Sequence, residues 1–166
     1  LEIEIVDSEG IRVGSNSKTN LIITDNDARN ASLVVGKNSK VKSPGAASKV
    51  AMSSSRIIVE EGEYIGDVAF WRQSDIAICG LGNGVKLDAG GRAARGKAIW
   101  IIGGDNVIVD NFSFYGAKVK HKNGAGIRAQ GKHLTVQNSY FGNNQNGLLA
   151  GSIKGGEILV ENSEFV

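Results

Sequence analysis

Three stretches of the chain superimpose residue on residue: NVIVDNFSF from Asn106, HLTVQNSYF from His133 and EILVENSEF from Glu157. Asn111, Asn138 and Asn162 fall 27 and then 24 positions apart, and Phe114, Phe141 and Phe165 keep the same intervals. A period in the twenties that carries strand-type alternation points to a solenoid, in which each repeat is one coil stacked on the last. A parallel β-helix fits best. A leucine-rich repeat has a similar length, but its Leu-rich consensus and helical or turn-like return segment are missing.

Residues two apart share one face of a strand, so alternation predicts which side chains stack inside. Val107, Val109 and Asn111 are expected over Leu134, Val136 and Asn138, and these over Ile158, Val160 and Asn162. Asn on Asn at the ~4.8 Å strand spacing would pass amide hydrogen bonds along an internal ladder, which assigns these three a structural role and not contact with a substrate. A looser copy, DIAICGLG from Asp75, puts Ile76, Ile78 and Gly80 in the places of Val107, Val109 and Asn111. The longer interval from Gly80 to Asn111 marks an insertion, assigned to the Gly- and Arg-rich DAGGRAARGK at 88–97. A second run precedes each repeat (VAFW, AIWII, AGIRA, GLLAG) and predicts a second sheet.

One Pro against 23 Gly suits short strands and tight corners, where Gly supplies positive φ. The length permits one domain. The single Cys79 rules out an internal disulfide framework and a multi-cysteine metal site, and alternation points it outward as a bystander thiol. No run approaches the ~20 apolar residues of a membrane span. With neither an initiating Met nor a signal peptide, the chain reads as a mature form or an excised segment. Residues 1–42 hold short alternating runs (LEIEIV, GIRV, NLIIT, SLVV) that do not match the later repeat, and are expected to form an irregular β segment or opening coils. Residues 43–166 are assigned to the parallel β-helix. Within SPGAASKVAM, Ser43 is the predicted N-cap and Pro44 the first residue of a short N-terminal helix that caps the solenoid.

From about Ile57 to Val166, with EEGEYIGDV, GKAIWII and NGAGIR as its clearest pieces, the sequence resembles bacterial right-handed parallel β-helix proteins of the pectate-lyase-like superfamily. The resemblance implies an all-β, right-handed, single-stranded coil with three faces, an extracellular or periplasmic setting, and proteins that bind or cleave polysaccharides. Calcium enters only through it. Many members have no assigned activity, so the fold does not name a reaction. The enzymes' Asp-His pair after a Trp-containing strand is absent, since AIWIIGGDN carries Asp105 and Asn106 and no His. Asp110 and Glu161 occupy equivalent outward positions two coils apart, ~9.6 Å at twice the strand spacing, just beyond the range of an inverting pair. They are assigned to solvated surface.

Charge singles out another region. Between 92 and 132 lie Arg92, Arg95, Lys97, Lys118, Lys120, Lys122, Arg128 and Lys132 against Asp105 and Asp110, a local +6 in a chain of +2. Two loops, GGRAARGK and GAKVKHKNG, follow matching corners of neighbouring coils and are expected side by side. Arg92, Arg95, Lys97, Trp100, Lys118, Lys120, Lys122 and Arg128 are therefore the predicted binding set for an acidic polysaccharide. Their cations would pair with uronate or sulfate, and Trp100, Tyr115 or His121 would meet a sugar face. His121, Lys120 and Arg128 are the candidate bases were the protein a lyase. The competing interpretations are solvated loop charge and, for Trp100 and Trp71, packing between coil and loop. The aromatics are not interleaved with cations as on a nucleic-acid platform, so nucleic acid is not the expected partner. Missing enzymatic motifs favour binding over catalysis. The alternative function is a non-catalytic structural or adhesion module of a larger secreted protein. Because the last repeat stops in mid-pattern, the chain is expected to be truncated at its C-terminal end or to self-associate end to end, covering Ile158, Val160 and Phe165.

Overall fold

The computed structural model describes residues 32–151 and 153–166. Three of the four early runs, LEIEIV, GIRV and NLIIT, lie outside the described residues. The fourth is β1, Ser32–Val35, followed by helix α1, Pro44–Val50. Three-strand circuits then succeed one another. The first is β2 (Arg56–Val59), β3 (Gly62–Ile65) and β4 (Ala69–Trp71), and the second β5 (Ile76–Gly80), β6 (Val85–Asp88) and β7 (Ala98–Ile102). Next come β8 (Val107–Asp110), β9 (Phe112–Tyr115) and β10 (Ala125–Ala129), then β11 (Leu134–Gln137), β12 (Tyr140–Gly142) and β13 (Asn146–Ala150). Strands β14 (Ile158–Glu161) and β15 (Glu164–Phe165) begin another.

Each strand pairs, in parallel, with its counterpart one circuit away. Sheet A has the order β1-β2-β5-β8-β11-β14, sheet B the order β3-β6-β9-β12-β15, and sheet C the order β4-β7-β10-β13. The fold is thus all-β and parallel, with one short helix. Register follows the repeat: Ile76, Val107, Leu134 and Ile158 align, as do Ile78, Val109, Val136 and Val160. The runs VAFW, AIWII, AGIRA and GLLAG form sheet C. The Phe-bearing ends of the repeats form a sheet of their own, sheet B.

Sheets A, B and C contribute to one buried cluster, including Val109 and Val136 from A, Leu87, Phe112, Phe114 and Phe141 from B, and Trp71, Trp100 and Ile127 from C. Identical side chains stack from circuit to circuit. The Phe114 and Phe141 rings lie 5.0 Å apart and those of Phe141 and Phe165 4.7 Å apart, both pairs within 6° of parallel. Such contacts add about 0.5–1.5 kcal/mol each to the burial itself.

The predicted helix is present with its predicted cap: the Ser43 hydroxyl accepts from the Ala46 N–H, and Pro44 stands at the first helical position. The helix packs on β4, the outermost strand of sheet C, and on β1. The Gly45 N–H donates to the Asp67 carboxylate at 2.6 Å, and Gln73 Nε2 donates to the carbonyls of Ser48 and Ala51. β1 pairs in register with β2, so SLVV joins the same sheet as the later repeats.

The internal Asn ladder is overturned. Asn111, Asn138 and Asn162 sit at the corners between sheets A and B with φ of 65°, 50° and 46°, Asn111 half-buried and the other two exposed. Alternation was extended one residue too far: Asn is among the few side chains that tolerate the left-handed region, and a residue there turns the chain out of the strand. No amide passes to the next Asn. Asn111 Nδ2 donates to the Gly80 and Gly82 carbonyls, and Asn138 Nδ2 to the Asp110 carboxylate. Phe112 and Phe114 take the inward places instead.

Candidate functional site

The connections from sheet B to sheet C differ most from circuit to circuit. Residues 66–68 and 143–145 bridge in three residues, whereas 89–97 and 116–124 take nine. Because these two are equally long, the extra residues between Gly80 and Asn111 are not the expected insertion at 88–97 but 81–84, at the corner from sheet A to sheet B. Those two long connections carry most of the predicted cations. They leave from paired strands β6 and β9 and arrive at paired strands β7 and β10, so they run side by side as expected. Backbone bonds fasten them at both ends, Ala89 N–H to the Tyr115 carbonyl at 2.9 Å and Ala125 N–H to the Lys97 carbonyl at 3.1 Å.

The first loop folds back over the outer face of sheet C. Ala94 forms an antiparallel bridge with Ala98 and joins Ile101 and Ala125 in a second buried cluster, against which Val68, Phe70 and Leu149 pack. The Arg95 guanidinium lies 4.1 Å from the Phe70 ring centroid, and that of Arg72 lies 4.5 Å from it. Cation–π contact of this kind is worth roughly 0.5–1 kcal/mol at an exposed site and orders a long side chain. Arg92 passes over Gly66, where an added Cβ would stand 3.2 Å from its Cδ. Arg128 is half-buried on the same outer face of sheet C, between Ile101 and Leu149 in the ladder.

The second loop is braced from the next circuit. Gln145 Oε1 accepts from the Val119 and Gly124 N–H groups at 2.9 and 2.8 Å, and its Nε2 donates to the Val119 carbonyl. Asn144 Oδ1 accepts from the Ala117 N–H while its Nδ2 donates to the Phe114 carbonyl. Held at its base in this way, the loop presents Lys118, Lys120, His121 and Lys122 to solvent. Among the described residues the one ion pair is Lys86 with Glu63, so the loop cations have no carboxylate partner there. Lys97 is half-buried where the two loops meet.

Trp100 does not belong to this surface. It is fully buried, edge-on to Trp71 at 5.4 Å and to Phe114 at 5.3 Å, and cannot stack on a sugar. The whole of β7 is buried because the first loop covers its outer face, so alternation along AIWII gave no cue to direction. Neither indole N–H, of Trp71 or of Trp100, has a hydrogen-bond partner among the described residues. Tyr115 is half-exposed, but on the outer face of sheet B beside Tyr140. His133 is an exposed corner residue with φ of 55°.

The residues that sequence reasoning missed are Arg72, paired with Arg95 through Phe70, and Gln145, whose role depends on a loop contributed 21 to 26 residues earlier. A signal existed for Gln145 only in its place, the last residue before a sheet C strand at the corner matching the basic loops. No group of three His, Cys, Asp or Glu among the described residues is arranged to hold a metal ion. Asp110, Gln137 and Glu161 align in register, with Asp110 occupied by Asn138. In comparisons with known proteins, no family model, no curated protein and no solved structure matches the chain.

Proposed function

We propose that this chain is a right-handed parallel β-helix protein of the pectate-lyase-like kind that binds an acidic polysaccharide along its basic edge in an extracellular or periplasmic setting. One observation carries the proposal. Two adjacent nine-residue connections, held by Phe70 on one side and Gln145 on the other, present Arg92, Arg95, Lys118, Lys120 and Lys122 with no carboxylate partner among the described residues. Solvent-facing cations on loops braced at the backbone suit a polymer with repeated carboxylate or sulfate groups, because charge-assisted hydrogen bonds are the strongest available at such a surface. Binding without cleavage is the activity assigned, since His121 has no carboxylate partner among the described residues and the superfamily's enzymatic motifs are absent from the sequence.

Retention on immobilised alginate, pectin and heparin tests this. Retention at low salt that is lost in an Arg92→Ala, Arg95→Ala, Lys120→Ala variant supports the reading, and no retention on any of the three sinks it. Absorbance from unsaturated sugar products, followed on the same polymers, separates a lyase from a binder.

A second reading, a structural or adhesion module of a larger secreted assembly, draws on the edge formed by β13, β14 and β15. There Val160 and Phe165, whose counterparts Val136 and Phe141 are buried, are 40 % and 49 % exposed among the described residues. Strand addition by a second copy would cover them. Concentration-dependent sizing in solution checks it, and a monomer at every concentration removes it.

A further inference from the structure

A second surface, with chemistry opposite to that of the basic edge, lies where sheet A turns into sheet B. A solvent-open groove of about 560 Å³ runs across four circuits there, from Asn83 to Glu164, and no Lys or Arg lines it. Its floor repeats from circuit to circuit: Asn111, Asn138 and Asn162 form one row, and Ser113, Tyr140 and Glu164 another. Parallel pairing sets the repeat at ~4.8 Å, comparable with the length of one pyranose.

Much of the polar capacity of this floor is unused within the described residues. Asn138 and Asn111 each engage only the amide nitrogen, toward Asp110 and toward the Gly80 and Gly82 carbonyls, which leaves both Oδ1 atoms as acceptors. The Asn162 amide, the Ser113 hydroxyl, the Tyr140 hydroxyl and the Glu164 carboxylate have no hydrogen bond among the described residues. The corner does not collapse onto itself, because neighbouring Ser139 and Ser163 hydroxyls satisfy the turn. Each donates to the carbonyl two residues back and accepts an N–H from the preceding circuit. Beside the groove the Tyr115 and Tyr140 rings lie 5.3 Å apart over Gly142, where an added Cβ would come within 2.6 Å of Tyr140 and 2.9 Å of Tyr115. Gly142 thus lets the two rings lie against the sheet, and Tyr140 remains half-exposed.

We infer that this groove is a binding site for a neutral glycan. A row of amide carbonyls, hydroxyls and one carboxylate next to a half-exposed aromatic ring matches a ligand that presents hydroxyl groups around an apolar ring face. An anionic polymer is disfavoured, because Glu164 is the one charged group in the lining. A peptide is disfavoured too, because Tyr140 is the one apolar feature. This site is independent of the basic edge, and its ligand needs no cation.

Affinity electrophoresis through gels containing xylan, galactomannan, mixed-linkage glucan or dextran tests it. The expected result is retardation by at least one of these polymers that persists in 1 M NaCl and in the Arg92→Ala, Arg95→Ala, Lys120→Ala variant. Tyr140→Ala is expected to weaken it at least tenfold. Ser113→Arg, which fills the groove from an outward strand position and removes nothing from the core, is expected to abolish it. Retardation by none of the four, or retardation unchanged in Ser113→Arg or abolished by salt, overturns the inference.

Discussion

Two of the three corners in each circuit solve the same geometric problem in opposite ways. From sheet A to sheet B the chain turns within one or two residues in the last three circuits, through an Asn in the left-handed region. From sheet B to sheet C it takes three residues or nine, and the long versions carry the cations. A tight corner fixes its backbone so closely that each circuit must repeat the same residue type, whereas a loop braced from outside by Phe70 or Gln145 leaves its own side chains free to vary. Repetition therefore produces a row of like groups at one corner, and variation produces a local charge at the other. The fold beneath is common to both, since the same core supports them.

The largest effect that separates core from surface is expected at Trp100. Trp100→Ala should lose ~3–5 kcal/mol, read as a drop in the urea midpoint. Trp100→Phe should lose markedly less, because it keeps the ring contacts and removes an indole N–H without a partner among the described residues. Were Trp100→Ala to leave stability intact and abolish polysaccharide retention, the surface role would return. At the tight corner, Asn138→Val should cost about 1–2 kcal/mol because a β-branched side chain is strained at its φ of 50°. Asn138→Gly should be the milder change, since Gly adopts that conformation freely and only the bond to Asp110 is lost. Equal losses from Val and Gly would mean that the amide, and not the backbone angle, matters.

The long loop should respond differently. Gln145→Ala removes three hydrogen bonds to an exposed segment, so global stability should fall by about 1 kcal/mol or less, while hydrogen exchange at the Val119 and Gly124 amides speeds up. Retention on an acidic polymer should weaken severalfold with it. Unchanged exchange at both amides would show that the loop holds itself.

The smallest effect concerns Cys79 on the outer face of sheet A. Burial pushes its thiol up, the nearby Arg56 opposes this, and Asp110 adds to it. A raised folded value means that the native state holds the proton longer than the unfolded chain. Its contribution is complete below the ordinary thiol range and is lost as pH rises through the folded value. Alkylation by iodoacetamide at pH 9 should accordingly be slower in the folded protein than in urea. A faster folded-state reaction would reverse the sign.

Register was legible in the sequence because a period of 24 to 27 residues leaves little freedom in how Val107, Leu134 and Ile158 align. The helix was legible for a local reason, the Ser43-Pro44 cap. Alternation failed where it crossed a corner at Asn111 and where both faces of a strand are covered, at Trp100. Arg72 and Gln145 were not legible, because their roles come from partners on other circuits: Phe70 with Arg95, and the loop around Val119. The adjacency of the two basic loops followed directly from the repeat.

On the proposed function, cations on the two long connections make a site for an anionic polymer. Retention on immobilised alginate, measured from low to high salt for the parent protein and the Arg92→Ala, Arg95→Ala, Lys120→Ala variant, tests it most directly. Strong retention of the parent at low salt, falling steeply as salt rises and absent in the variant, is the predicted result. A parent that flows through at low salt, or a variant retained as well as the parent, would contradict it.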